Sequence, residues 1–239
     1  MLKTIYCYTV AGLYLIVTLP FLWRVKYLDK HDRIHERDSM TNRVVKNIAV
    51  FFFRSTGSTI KVTGADNIPK DQAVLIVSNH QGHMDNLIIV GFIDIPKGFV
   101  SIVSVLKYPI VSIWMKYINS IFIDRDNLRQ TYACIEEGVR ILKQGHSMTI
   151  FPEGKVSDCD TVGEFKKGCL KLAIKAGVPI LPVTIKGSYK IMSKYGKGIK
   201  AAAVECIISK PVITAGLTKD EEKKLIDVVR DAIVKNIQD

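Results

Sequence analysis

A histidine with a carboxylate five residues on is a compact way to build a general base, and Asn79-His80-Gln81-Gly82-His83-Met84-Asp85 contains one. The Asp85 carboxylate can accept a proton from one imidazole nitrogen and leave the other free to act as the base. Such a base suits a reaction in which a substrate hydroxyl must lose its proton as its oxygen attacks an electrophilic carbon. No enzyme nucleophile is then needed, and the chain has no Gly-x-Ser-x-Gly elbow of the kind a hydrolase uses. Further along stands Phe151-Pro152-Glu153-Gly154, where a carboxylate ends an apolar run beside a glycine that lets backbone approach a ligand closely. Arg125, in Phe122-Ile123-Asp124-Arg125, offers a guanidinium fork for a phosphate, and Lys155 offers a point charge. A metal is not expected. His80, His83 and Asp85 are closely spaced, but His31, His35 and His146 lie in unrelated segments, and the five cysteines form no Cys-x-x-Cys pair. His83 reads as a polar group on the first turn of the following helix.

These groups need a scaffold, and the hydropathy pattern supplies one. Strand signals recur at 60–62, 73–78, 98–103, 121–123, 148–151, 180–185 and 204–208. Helical periodicity lies between them, most clearly over 127–143, with Gly145 as the stop. A second helix is expected over 165–176, with Gly177 as its stop. The last begins at Thr218, where Glu221 completes a capping box. Strands alternating with helices predict an α/β fold, a layered, mixed and mainly parallel sheet flanked by helices. His80 falls in the loop after the second strand, and Asp85 near the start of the next helix.

The first segment is of another kind. No charged residue occurs from Thr4 to Trp23, and Arg24 and Lys26 follow directly. A second apolar patch, Val44-Val45 and Ile48 to Phe53, lies between Arg43 and Arg54. Three fates compete for this segment: a spanning helix, a helix lying in one leaflet with the second patch as its partner, and a buried hairpin. Residues 1–56 are expected to form a two-helix membrane-anchoring segment, spanning or shallow, and residues 57–239 the α/β domain. The formal charge is +11, and nine lysines fall between Lys166 and Val204 without one acid. This suits an anionic membrane surface or a phosphate substrate. Nucleic acid is not expected, since the aromatic strand signatures of RNA-binding sheets are absent. Scattered cysteines, odd in number, suit a reducing, intracellular context.

Taken together, Asn79-His80 with Asp85, Phe122-Ile123-Asp124-Arg125, Phe151 to Gly154, and Val178-Pro179-Ile180-Leu181-Pro182-Val183 stand in the order of four motifs of the glycerolipid acyltransferase family. The chain resembles its lysophosphatidic acid acyltransferase branch over roughly residues 60 to 210. Where that family often reads Thr-Arg-Ser after the third motif, this chain reads Lys155-Val156-Ser157. The resemblance implies a fatty acyl transfer to the sn-2 hydroxyl of 1-acyl-sn-glycerol 3-phosphate, giving phosphatidic acid. The donor would be acyl-CoA or acyl-carrier protein, with no further cofactor. His80 and Asp85 are then catalytic, and Arg125, Glu153, Gly154, Lys155 and Lys107 bind substrate. The enzyme is expected at the cytoplasmic face of the cell membrane. Alternatives are another acceptor (glycerol 3-phosphate or a second lysophospholipid) and a non-catalytic protein that binds anionic lipid. Linings expected for the acyl chain are 87–90, 110–115 and 121–122.

Overall fold

The computed structural model of the chain describes residues 1–166, 168–192 and 198–238. Lys167, Lys194 and Lys197 of the basic stretch lie outside the described residues, as does the side chain of Leu128.

Three helices come first: α1 (Leu2–Val17), α2 (Leu19–Lys30) and α3 (Ile34–Ser55). Then follow β1 (Thr59–Thr63), β2 (Leu75–Ser78), α4 (Met84–Phe92), β3 (Lys97–Ile102), α5 (Pro109–Tyr117), β4 (Ile121–Ile123), α6 (Leu128–Lys143) and β5 (Ser147–Ile150). The chain closes with α7 (Lys171–Ala176), β6 (Ile180–Lys186), β7 (Ala203–Ile208) and α8 (Lys219–Gln238).

Among the described residues the strands form one seven-stranded sheet in the order β1-β7-β6-β2-β5-β3-β4. All neighbours run parallel except β6 and β7. The mixed, mainly parallel sheet flanked by helices is therefore as the hydropathy pattern indicates. β2 lies between β6 and β5 and is buried throughout. Its alternate residues serve opposite cores, which is why it reads as an unbroken apolar run. Val74 and Ile76 face a core with Ile88, Ile89 and Phe53, while Leu75 and Val77 face one with Leu142, Leu172 and Val229. One helical layer is thus α3 and α4, and the other is α6, α7 and α8.

The first segment is not separate from this core. α1 and α2 make an almost continuous 29-residue rod, apolar and long enough to cross a membrane. Leu13, Ile16, Val17, Phe21 and Trp23 on it are exposed, whereas Cys7 is fully buried in the main core. α3 packs against α4, with the rings of Phe53 and Phe92 edge to face at 5.1 Å. The far end of α4 is tied down by Lys97, whose ammonium donates to the carbonyls of Ile93 (2.6 Å), Ile95 (2.8 Å) and Val90 (3.4 Å). Burial and the nearby Lys46 pull this lysine down to about 7, against the attraction of Asp94.

The helix expected over 165–176 is shorter, beginning only at Lys171. The Lys166 N–H donates to the Pro152 carbonyl at 3.0 Å, and Gly168 sits at φ +91°. Both hold the chain out of helical geometry until the following residues. The capping box at the last helix is present: the Thr218 N–H donates to Glu221 Oε2 at 2.8 Å and the Glu221 N–H to Thr218 Oγ1 at 3.3 Å.

Candidate active site

β2, β3, β4, β5 and β6 run parallel, so their carboxyl ends share one edge of the sheet. Ligands of open α/β sheets bind outside that edge. His80 follows β2, Arg125 follows β4, Phe151 to Gly154 follow β5, and Gly187-Ser188 follow β6. Motifs far apart in sequence are therefore brought together by the parallel arrangement alone.

His80 and Asp85 pair directly: Nδ1 lies 2.8 Å from Oδ2. The strand-to-helix turn makes this contact local, since Asp85 occupies the first turn of α4 and points back over the loop. Asp85 is completely buried, and three groups donate to its carboxylate. The His80 ring and the Gly82 N–H (2.8 Å) bond Oδ2, and the Ser188 hydroxyl bonds Oδ1. A buried carboxylate is costly unless bonded in this way. With Asp85 ionised, Nδ1 carries the proton and Nε2 is the basic nitrogen. The imidazole also stacks on Phe151, ring centroids 4.0 Å apart and planes at 18°.

The backbone of His80 is held as firmly as its ring. Glu153, which is 4% exposed, accepts the His80 N–H through Oε1 (2.8 Å) and the Gly163 N–H through Oε2 (2.9 Å). Burial pushes the Glu153 carboxyl up, while those two backbone donors oppose the shift. The His80 carbonyl accepts the Ser157 N–H at 2.8 Å. Asn79 locks the end of β2 to β6 through two bonds with Ile185, at 2.9 and 2.8 Å. Gln81, fully buried, reaches Asp160 at 3.0 Å, and the Tyr189 hydroxyl donates to the same carboxylate at 3.0 Å.

Two cavities adjoin the neighbours of this pair, one through Phe151 and the other through Asn86 and Leu87, although neither is lined by His80 or Asp85 themselves. One, about 550 Å³, is lined by Arg125, Tyr132, Phe151, Gly154, Lys166 and Lys171 among others. The second, about 370 Å³, is almost wholly apolar and lies among α1, α3, α4 and α5, where Phe52, Leu87, Val90, Trp114 and Met115 line it. Ser101 borders both. Leu87, Val90, Val111, Trp114 and Met115 come from segments whose sequence suggested an acyl lining, and Ile121 borders the cationic cavity instead.

The structure thus gathers His80, Asp85, Glu153, Gly154 and Arg125 at one edge. It does not bring Lys155 or Lys107 to either cavity, and both are exposed. Lys166 stands where the sequence suggested Lys155. Gly154 sits at φ +67°, and a Cβ there would lie 2.9 Å from Lys166 Cε. So the lysine stem, and not open space, covers that glycine. Lys166 and Ser188 had no signal in any short motif, because each reaches the site through a contact with a distant segment. Gln81, although inside the first motif, shows its role only through its contacts with Asp160 and Ser188. His83 stands at the N-cap position of α4, makes no side-chain capping bond, and is exposed. Among the described residues, no group of three His, Cys, Asp or Glu stands close enough to hold a metal ion.

A parallel α/β sheet with a buried His–Asp pair and a Phe-Pro-Glu-Gly turn at its carboxyl edge defines a class, and comparison with known proteins agrees: the chain matches the acyltransferase family over residues 59–186 and belongs to it. Among curated relatives, the 1-acyl-sn-glycerol-3-phosphate acyltransferase of Borreliella burgdorferi is 32% identical over 76% of this chain and 73% of its own length. The probable enzyme of that name from Mycoplasma pneumoniae is 36% identical over 68% of this chain and 62% of its own. The crystal structure of the Thermotoga maritima 1-acyl-sn-glycerophosphate (LPA) acyltransferase, PlsC, superposes with a TM-score of 0.87 at 29% identity, covering 99% of this chain and 94% of that one.

Proposed function

We propose that the protein transfers a fatty acyl group from a thioester donor, acyl-CoA or acyl-carrier protein, to the sn-2 hydroxyl of 1-acyl-sn-glycerol 3-phosphate. The observation that carries this reading is that the His80–Asp85 pair adjoins a cationic cavity through Phe151, on which the imidazole stacks, and an apolar cavity through Asn86 and Leu87, which follow Asp85 directly. An amphiphile with a fatty chain and a phosphate suits that combination. His80 Nε2 removes the acceptor hydroxyl proton as the oxygen attacks the thioester carbonyl carbon. The tetrahedral intermediate then collapses, the carbon–sulfur bond breaks, and the imidazolium returns its proton to the leaving thiolate. Asp85 holds the required tautomer and stabilises the imidazolium. Arg125 and Lys166 hold the phosphate in the cationic cavity, with Glu153 and Gly154 shaping the turn beneath it. Lys155 and Lys107 act at most as outer, screened charges.

The exposed apolar side chains of α1 and α2 would sit in the membrane at its cytoplasmic face, where the acceptor partitions. The exposed lysines after Lys166 would add attraction to anionic lipid, and five free cysteines suit a reducing compartment.

The decisive assay supplies the purified protein with labelled acyl-CoA or acyl-carrier protein and a panel of acceptors. Transfer to 1-acyl-sn-glycerol 3-phosphate above all others is expected. A preference for glycerol 3-phosphate or an uncharged monoacylglycerol would replace this acceptor. A charge-assisted phosphate contact is worth about 1.5–3 kcal/mol, so Arg125→Ala and Lys166→Ala should each raise acceptor KM about tenfold or more. Donor KM should hold, and Lys155→Ala should do much less. An effect of Lys155→Ala equal to that of Lys166→Ala would reverse the assignment. For the membrane, Leu13→Glu combined with Val17→Glu should leave the fold intact, because both side chains are exposed. It should release the protein from neutral vesicles in a flotation assay, and undiminished flotation would place the anchor elsewhere.

A further inference from the structure

Ser188 is fully buried, and its hydroxyl donates to Asp85 Oδ1, the carboxylate oxygen that His80 does not use. It comes from the chain after β6, more than a hundred residues from Asp85 in sequence. Its placement is built in. Gly187 turns the chain at φ +82°, and a Cβ there would lie 2.8 Å from the Ala203 carbonyl oxygen, so a side chain at 187 is blocked. The Ser188 N–H then donates to the Gln81 side-chain oxygen at 3.2 Å. The same oxygen lies 3.4 Å from the Ser188 hydroxyl, a longer contact than the one to Asp85. The hydroxyl is thus aimed at Asp85.

A serine beside a His–Asp pair suggests a hydrolytic triad, but the order here is reversed. Ser188 bonds the carboxylate and not the imidazole, and it has no access to solvent. It cannot serve as a nucleophile. What it can do is fix the rotation of the Asp85 carboxylate, so that Oδ2 stays directed at Nδ1 of His80.

We infer that Ser188 is a positioning residue for the acyl transfer, acting only through Asp85. The inference rests on the proposed role of the His80–Asp85 pair. Losing the hydroxyl leaves Oδ1 of a buried carboxylate without its donor and frees the group to turn. Hydrogen bonds to charged groups set the scale, so Ser188→Ala should lower kcat about tenfold to a hundredfold, with both KM values unchanged. Ser188→Cys, which keeps a weak donor on a somewhat larger side chain, should fall between wild type and alanine. The cycle with Asp85→Asn separates positioning from general loosening: once Asp85 is neutral, adding Ser188→Ala should cost almost nothing more. Additive losses in the double variant, a change confined to KM, or a kcat within twofold of wild type would each overturn the inference. If the alanine variant does not fold, the cysteine variant carries the same cycle with the same two outcomes. Absence of any acyl transfer by the wild-type protein would remove the functional reading and this inference together. Transfer by the wild type with an additive cycle would remove only the inference.

Discussion

His80→Ala should abolish acyl transfer in a protein that still folds. A positioned general base contributes on the order of 10² to 10⁴ in rate, so residual kcat should be about 1% of wild type or less. The fold should survive, because the turn at His80 is fixed by its backbone. The N–H is held by Glu153 and the carbonyl by Ser157, and alanine keeps both groups. What is lost is the ring, its stack on Phe151 and its bond to Asp85. The check is a steady-state assay beside a thermal melt. A folded variant keeping more than a few per cent of wild-type turnover would show that another group takes the hydroxyl proton.

Asp85→Asn should be nearly as damaging, for a different reason. The amide is almost isosteric, but three donors converge on the carboxylate it replaces. An asparagine offers one oxygen and an NH2 group. Either the NH2 takes the place of Oδ2, where it meets the Gly82 N–H and faces Nδ1, forcing the proton onto Nε2 and destroying the base, or it takes the place of Oδ1 and meets the Ser188 hydroxyl. A loss of about 10² to 10⁴ in kcat is expected, by the tautomer logic of serine-hydrolase triads. The unmatched donor should also cost about 1–3 kcal/mol of stability. Denaturant midpoints and kcat measured on one preparation test both effects. Wild-type turnover in the asparagine variant would end the dyad mechanism.

Much of this centre is legible in the linear chain. His80 and Asp85 meet because a strand, a short loop and a helix start are all local features, written in a five-residue spacing and an apolar run on each side. The strands announce themselves as short apolar runs, as in β2 and β6, or as an alternation of apolar and polar residues, as in β1. β2 is buried on both faces and so reads as continuous. The capping box at Thr218 is likewise a three-residue pattern with one outcome.

Other features depended on which strands pair. The expectation of a helix from Phe165 failed because apolar periodicity cannot register a Pro152 carbonyl that claims the Lys166 N–H, or a Glu153 that claims the N–H of Gly163. Glu153 itself reads as a strand-end carboxylate, yet it is buried and fully bonded, a state fixed only when β5 lies beside β2. Lys155 follows the motif directly but is exposed and lines neither cavity, while Lys166, eleven residues later, returns over Gly154. Ser188 reaches Asp85 only because β6 is the other neighbour of β2. Sequence patterns therefore determined most of the elements, the fold class and the closeness of His80 to Asp85, which are consequences of local periodicity and turn chemistry. Strand order determined the rest, because contacts between segments about seventy to a hundred residues apart leave no period in the chain.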